Sequence, residues 1–160
     1  MKRLNQLLNK KEYQEAQDKI LELEKDRIYC GHTREHFIDV ARIAFILSLE
    51  ENLHLDKELV YTTAFLHDIG RVYEYRGECS HESGSVLMAL NLLPECGFTE
   101  EEIKKIASAI ATHREKNSVK QGTLGSVLYR ADKLSRDCKN CRAKDTCKWH
   151  EEEKNSQINY

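Results

Sequence analysis

The stretch Ala64-Phe65-Leu66-His67-Asp68-Ile69-Gly70-Arg71 decides how this chain is read. It closes an apolar run with two strong metal ligands side by side. A buried polar side chain without a partner loses its hydration and gains nothing in return. His67 and Asp68 therefore ask for a common partner, and a divalent cation satisfies both. Upstream, Leu59, Val60, Ala64 and His67 share one helical face, with Asp56 placed to cap the helix and Gly70 to stop it.

Outward from this stretch, apolar residues recur at helical spacing nearly everywhere, with one proline and no clear strand alternation. The expected fold is all-α, a compact single-domain helical bundle. Tyr13, Ala16, Ile20 and Leu23 mark a first amphipathic helix. Thr33 opens a helix to about Leu49 that is apolar on several sides and therefore central. Residues 71–80 read as a polar loop containing Gly77. A helix from about His81 ends at Pro94. Thr99 and Glu102 form a capping-box pattern before the next helix. Gly122 and Gly125 precede a last helix through about Arg136. The chain divides into an N-terminal helical segment packed on the core (1–29), a core (30–136) and a Cys-rich tail (137–160).

The 160 residues suit one domain, and a formal net charge of −2 gives no whole-molecule attraction to nucleic acid or membrane. No apolar run approaches the roughly 20 residues needed to span a bilayer. The basic start is not followed by a signal-peptide apolar region, so a cytoplasmic location is expected. There, the six cysteines read as thiols or metal ligands rather than disulfides.

Four more ligand-type residues lie on apolar stripes. His36 aligns with Val40, Ile43 and Leu47, and His81 with Ser85, Met88 and Leu92. His113 continues Ile103, Ile106 and Ile110, and Asp132 follows Leu124 and Leu128. Five helices would each point such a side chain inward, as helix bundles do when they build metal sites. A single histidine on an apolar face is more often a core residue bonded to a backbone carbonyl. Five such positions in one small core outweigh that reading. Asp132 is the sharpest, because a buried carboxylate needs a cation or several donors. His32, His54 and His150 lack this setting: His54 reads as surface and His32 as part of the loop leading into the site.

The strings His36-Phe37-Ile38-Asp39-Val40-Ala41, Phe65-Leu66-His67-Asp68-Ile69-Gly70 and Ala131-Asp132-Lys133, in this order, resemble the HD-domain superfamily of metal-dependent phosphohydrolases. The resemblance covers roughly residues 30 to 136. His81-Glu82-Ser83-Gly84 and Ala111-Thr112-His113 fall where binuclear members place additional ligands, and the chain looks similar to the symmetrical bis(5′-nucleosyl)-tetraphosphatase branch, which splits diadenosine tetraphosphate. By that resemblance His36, His67, Asp68 and Asp132 hold one metal, while Asp68, His81 and His113 hold the other, with Asp68 bridging. It implies two divalent ions, iron foremost; Mn, Co, Ni and Zn also suit imidazole and carboxylate. The implied activity is hydrolysis of a phosphoester or phosphoanhydride of a nucleotide by a metal-activated hydroxide. Asp68 and Lys133 would be catalytic, and Arg71, Arg114 and Lys133 would hold phosphate, with Arg34 a weaker candidate. Alternatives are a mononuclear nucleoside monophosphate phosphatase, a nucleotide- or metal-binding sensor with little turnover, and a di-iron oxygenase. The expected partner is a small phosphorylated molecule, not nucleic acid or membrane; a homodimer is compatible. Arg71, where many members carry lysine, and the Cys-rich tail depart from the pattern.

In that tail Cys138-x2-Cys141-x5-Cys147-x2-His150 supplies four soft ligands for a second, structural metal. Free thiols remain an equal reading. An iron–sulfur cluster would need a fourth cysteine from Cys30, Cys79 or Cys96, and a redox disulfide completes the alternatives.

Overall fold

The computed structural model describes residues 1–115 and 121–160, and among these it is helical with no strand. The helices are α1 (Lys2–Leu8), α2 (Lys11–Leu23), α3 (Arg34–Glu50), α4 (Lys57–Leu66), α5 (Arg71–Tyr75), α6 (His81–Leu92), α7 (Glu100–Ala111) and α8 (Leu124–Leu134). Short 3-10 turns occupy Pro94–Cys96 and Glu151–Glu153. None of the helices is long and apolar enough to cross a membrane.

Side-chain caps fix where the helices begin. Thr33 accepts from His36 N at 3.3 Å and Asp56 from Leu59 N at 2.9 Å. Thr99 and Glu102 cap each other's backbone reciprocally at the start of α7. Each bond satisfies an amide that the helix itself leaves open. α3 packs against both α4 and α8, and its Phe37, Val40, Ala41, Ala44 and Leu47 are buried. α7 lies against α4, α6 and α8 through Ile103, Ile106 and Ile110. The inner ends of α3, α4, α6, α7 and α8 thus surround one region, which holds His67 and Asp68.

Three features differ from the sequence expectations. First, α1 is an additional short helix: Leu4 and Leu7 are buried, and α1 packs on α4. Arg3 fastens it, bonding Glu58 at 2.9 Å and Glu102 at 2.7 Å while lying 4.2 Å over the Phe98 ring. Second, residues 71–80 are not all loop. Residues 71–75 form α5, because Val72 is buried and Arg71 reaches Glu74 one turn on at 3.0 Å. Its Glu74, still partly exposed, reaches toward the site and meets His81. Third, Leu23 is 45% exposed and does not continue the buried stripe of Tyr13, Ala16 and Ile20. It lies in the last turn of α2, where the chain turns so that Glu24 points inward instead.

Gly70 and Gly84 let α5 and α6 approach at backbone distance. A Cβ at Gly70 would stand 2.2 Å from His81 O and from Ser85 N. Ser85 locks this contact, accepting from Gly70 N at 2.8 Å and donating to His67 O at 2.9 Å. The close approach delivers His81 to the His67-Asp68 turn.

Candidate metal centre

His67 follows the last residue of α4, and its Nδ1 donates to Ala64 O at 2.7 Å. A carbonyl only accepts, so the proton sits on Nδ1 and the Nε2 lone pair points inward. The same arrangement repeats. His113, just past α7, donates from Nδ1 to Ile110 O at 2.6 Å. His81 Nδ1 meets Glu74 Oε1 at 2.9 Å. His36 Nδ1 meets Ser135 Oγ at 3.3 Å, and that hydroxyl is already spent donating to Asp132 O. Four imidazoles are thereby oriented with Nε2 toward one carboxylate, the second-shell device by which metal-binding histidines are fixed.

That carboxylate is Asp68, which is 3% exposed. Its Oδ2 lies 3.1 Å from His67 Nε2 and 4.0 Å from His36 Nε2; its Oδ1 lies 3.3 Å from His81 Nε2 and 3.9 Å from His113 Nε2. Asp132 Oδ1 stands 3.7 Å from His36 Nε2 and 3.9 Å from His67 Nε2. Two ligand sets follow, each with its donor atoms within 4.8 Å of one another: His36, His67, Asp68 and Asp132, and Asp68, His81 and His113. Asp68 belongs to both. The Nε2 atoms of His36, His67 and His81 and Oδ1 of Asp68 are buried and make no well-aligned hydrogen bond. Buried polar atoms are nearly always bonded, so four orphans facing one another are the signature of a cation's ligands. The donor set fits one or two divalent ions.

Residues 33–137 match the family model of the HD domain. The chain belongs to the HD domain family. An uncharacterized protein of Clostridium beijerinckii is 43% identical over 160 residues, the whole of both chains. Ribonuclease Y of Acidothermus cellulolyticus is 31% identical over 103 residues, covering 64% of this chain but only 18% of that protein. A crystal structure of a predicted HD superfamily hydrolase from an uncultured Thermotogales bacterium superposes with a TM-score of 0.62 at 24% identity, over 89% of this chain and 81% of that one. That likeness bears on the fold.

Within this HD domain the electrostatics follow from burial and proximity. Burial pushes the His36 and His113 imidazoles down to about 4, keeping both neutral as ligands must be. Burial acts the same way on His67, but the carboxylates of Asp68 and Asp132 outweigh it and raise this group to about 10, so a cation bound there would displace a proton from Nε2. For Asp68, burial would raise the carboxyl, yet His67, His32 and Arg71 hold it well below the ordinary range. Asp132 is lowered likewise: His67 and Lys133 overcome its burial.

Cations border the centre unequally. Arg71 Nε is 3.2 Å from Asp68 Oδ1. Lys133 Nζ bonds Asp132 Oδ2 at 2.6 Å and lies 5.4 Å over both Tyr129 and Trp149. Arg114 is farther out, 55% exposed and 3.4 Å from Glu82 on the His81 side. Arg34 is exposed. A cleft of about 760 Å³ between α3 and the tail reaches this region only through Leu134 and Ser135.

Sequence reasoning missed three participants. His32, expected in a leading loop, is 5% exposed; its Nε2 is 3.4 Å from Asp68 Oδ2 and its Nδ1 2.5 Å from Glu24 Oε1. Glu74 and Glu82 form a third candidate ligand set with His81. Glu82 sits within the quoted string at His81, but Glu74 was hidden by reading α5 as loop. Substituting Glu74→Gln is expected to weaken metal binding at the His81 side by about 10–100-fold, as loss of such a supporting partner does elsewhere, with the His36 side unchanged in a titration.

Glu24 adds a pH effect. Burial would raise its carboxyl, but bonds from His32 and Tyr75 prevail and bring it down to about 2. Its stabilising contribution is complete above the ordinary value of 4.5 and is lost as pH falls toward about 2. Denaturation midpoints of Glu24→Gln should therefore fall less than those of the parent protein below about pH 4.5. Parallel midpoint curves would contradict this.

Proposed function

We propose that this HD domain is a metal-dependent phosphohydrolase that cleaves a phosphoanhydride or phosphoester bond of a nucleotide, with diadenosine tetraphosphate as the leading substrate and iron as the leading metal. The supporting observation is the sharing of Asp68 by two ligand sets. When bound, divalent ions supply Lewis acidity toward a phosphoryl oxygen and lower the pKa of water into the physiological range. The chain's own residues do the rest. The anchored Nδ1 atoms of His36, His67, His81 and His113 hold their rings in the ligating orientation without reorganisation. Arg71, whose buried Nε has no aligned partner, is placed to bind a phosphate oxygen beside Asp68. Lys133, 26% exposed, presents its charge from the Asp132 side to an incoming phosphate or its leaving group.

One relative favours a second reading. The similarity to Ribonuclease Y suggests a nucleic-acid phosphodiester as substrate. The net charge of −2 opposes it, since affinity for nucleic acid rests on neutralising phosphates. An anaerobic assay with added Fe²⁺ or Mn²⁺ tests both, using diadenosine tetraphosphate, nucleoside monophosphates and an RNA oligonucleotide. ADP released from the dinucleotide and abolished by chelator is the expected result. Phosphate from monophosphates alone would replace it with a nucleotidase, RNA cleavage with a nuclease, and binding without turnover with a sensor.

A further inference from the structure

The HD-domain match ends at residue 137, yet the tail beyond it returns to the end of α8. Asn155 Nδ2 donates to Leu134 O at 2.7 Å, closing a carbonyl that the last residue of the helix leaves open, and to Arg136 O at 3.0 Å. Tyr29 Oη, from the N-terminal segment, donates to Thr146 O at 3.5 Å. Cys138, Cys141 and Cys147 are half-buried free thiols in this tail, His150 is exposed, and all four lie outside the ligand sets at the metal centre. Trp149, the sole tryptophan of the chain, is half-buried between the exposed Lys148 and His150.

Its ring meets two cations from the end of α8. Arg136 Cζ lies 4.7 Å from the ring centroid and Lys133 Nζ 5.4 Å. Arg136 is itself held, its Nε donating to Lys133 O at 3.0 Å. Tyr129, four residues before Lys133 and so on the same helical face, has its ring 5.4 Å from the same Nζ. The Lys133 ammonium is therefore within cation–π range of two rings while donating to Asp132 Oδ2 at 2.6 Å. Asp132 divides its oxygens: Oδ1 turns to His36 and His67, and Oδ2 to Lys133. An ammonium on a flexible four-carbon stem is a mobile charge. Two aromatic faces and one carboxylate oxygen confine it at the border of the metal centre.

We propose that Trp149 is a positioning residue of this centre: from outside the HD domain it holds the Lys133 ammonium at the Asp132 edge, where a phosphoryl group of the substrate is met. The phosphate-binding role of Lys133 rests on the phosphohydrolase reading; the confinement of its ammonium by Trp149 does not. Trp149 acts through Lys133, so it governs turnover and leaves the metal ligands alone.

The lone tryptophan makes the contact readable without turnover. Lys133→Met, which keeps the length of the side chain and removes its charge, should change the tryptophan emission of metal-free protein. Lys148→Met, beside Trp149 in sequence but exposed, should leave it unchanged. In turnover, Trp149→Ala should lower kcat and kcat/KM together by about tenfold, the scale of a desolvated cation–π contact. The Mn²⁺ bound per chain should stay at the parent value. Trp149→Phe, which keeps an aromatic face, should recover most of the loss. In a Lys133→Met background Trp149→Ala should cost nothing further, since the two act as one unit. Emission unmoved by Lys133→Met would overturn the contact, whatever the protein hydrolyses. A Trp149→Ala loss that persists undiminished without the Lys133 charge, or that comes with lost Mn²⁺, would overturn the positioning role. Should no phosphorylated substrate turn over, the function proposed above fails and the emission of the two methionine variants decides this inference by itself.

Discussion

Replacing Asp68 with alanine is expected to abolish divalent-metal binding at both ligand sets and to lower turnover by about 1000-fold or more, the scale on which transition-state charge stabilisation is lost. No other side chain belongs to both ligand sets built on His36 and His113. Its two oxygens face five imidazole Nε2 atoms, those of His32, His36, His67, His81 and His113, at 3.1 to 4.0 Å. Removing the carboxylate also strands the fully buried His67 and leaves Arg71 with Glu74 alone, so the metal-free variant should be destabilised by about 3–5 kcal/mol, the cost of breaking a buried ion pair. Asp68→Asn keeps the volume and isolates the loss of charge. Metal analysis, turnover and thermal unfolding of both variants check this. Retention of full metal content in Asp68→Ala would remove the bridging role.

The second large effect is structural. Gly70→Ala places a Cβ 2.2 Å from His81 O and Ser85 N, both backbone atoms that cannot swing aside. Overpacking of this severity should cost about 3 kcal/mol or more. For a chain of this size that is a fall in Tm of roughly 6–12 °C. Because the contact delivers His81 to Asp68, metal bound through His81 and His113 should weaken in parallel. Ser85→Ala, which loses two hydrogen bonds without a clash, should show the same pattern more mildly. An unfolding curve for Gly70→Ala matching that of the parent would contradict the close approach.

Much of the candidate centre was legible because its residues continue apolar stripes at helical spacing. His36, Val40, Ile43 and Leu47 recur at helical spacing, as do His81, Ser85 and Met88, and the structure buries all of these but the partly exposed His36. The caps at Thr33, Asp56 and Thr99 were equally readable, since capping is a local hydrogen bond between residues three apart. What escaped was short or tertiary. α1 and α5 are too brief to show a period. His32 meets Asp68, and Glu24 meets His32, only because α2 returns to the body at α5, a packing choice that no local pattern records. Glu74 looked like solvated loop charge until α5 turned it toward His81. Charged and polar residues facing inward around a cation are where pattern reasoning fails, because burial is there repaid by partners from other elements.

The most direct measurement is a Mn²⁺ titration of metal-free protein, read calorimetrically, for the parent chain and for His81→Ala and Asp68→Ala. Two ions per chain in the parent, one in His81→Ala and none held tightly in Asp68→Ala is the predicted result. One ion in the parent that survives the loss of His81 and of Asp68 unchanged would contradict a centre built on a shared carboxylate.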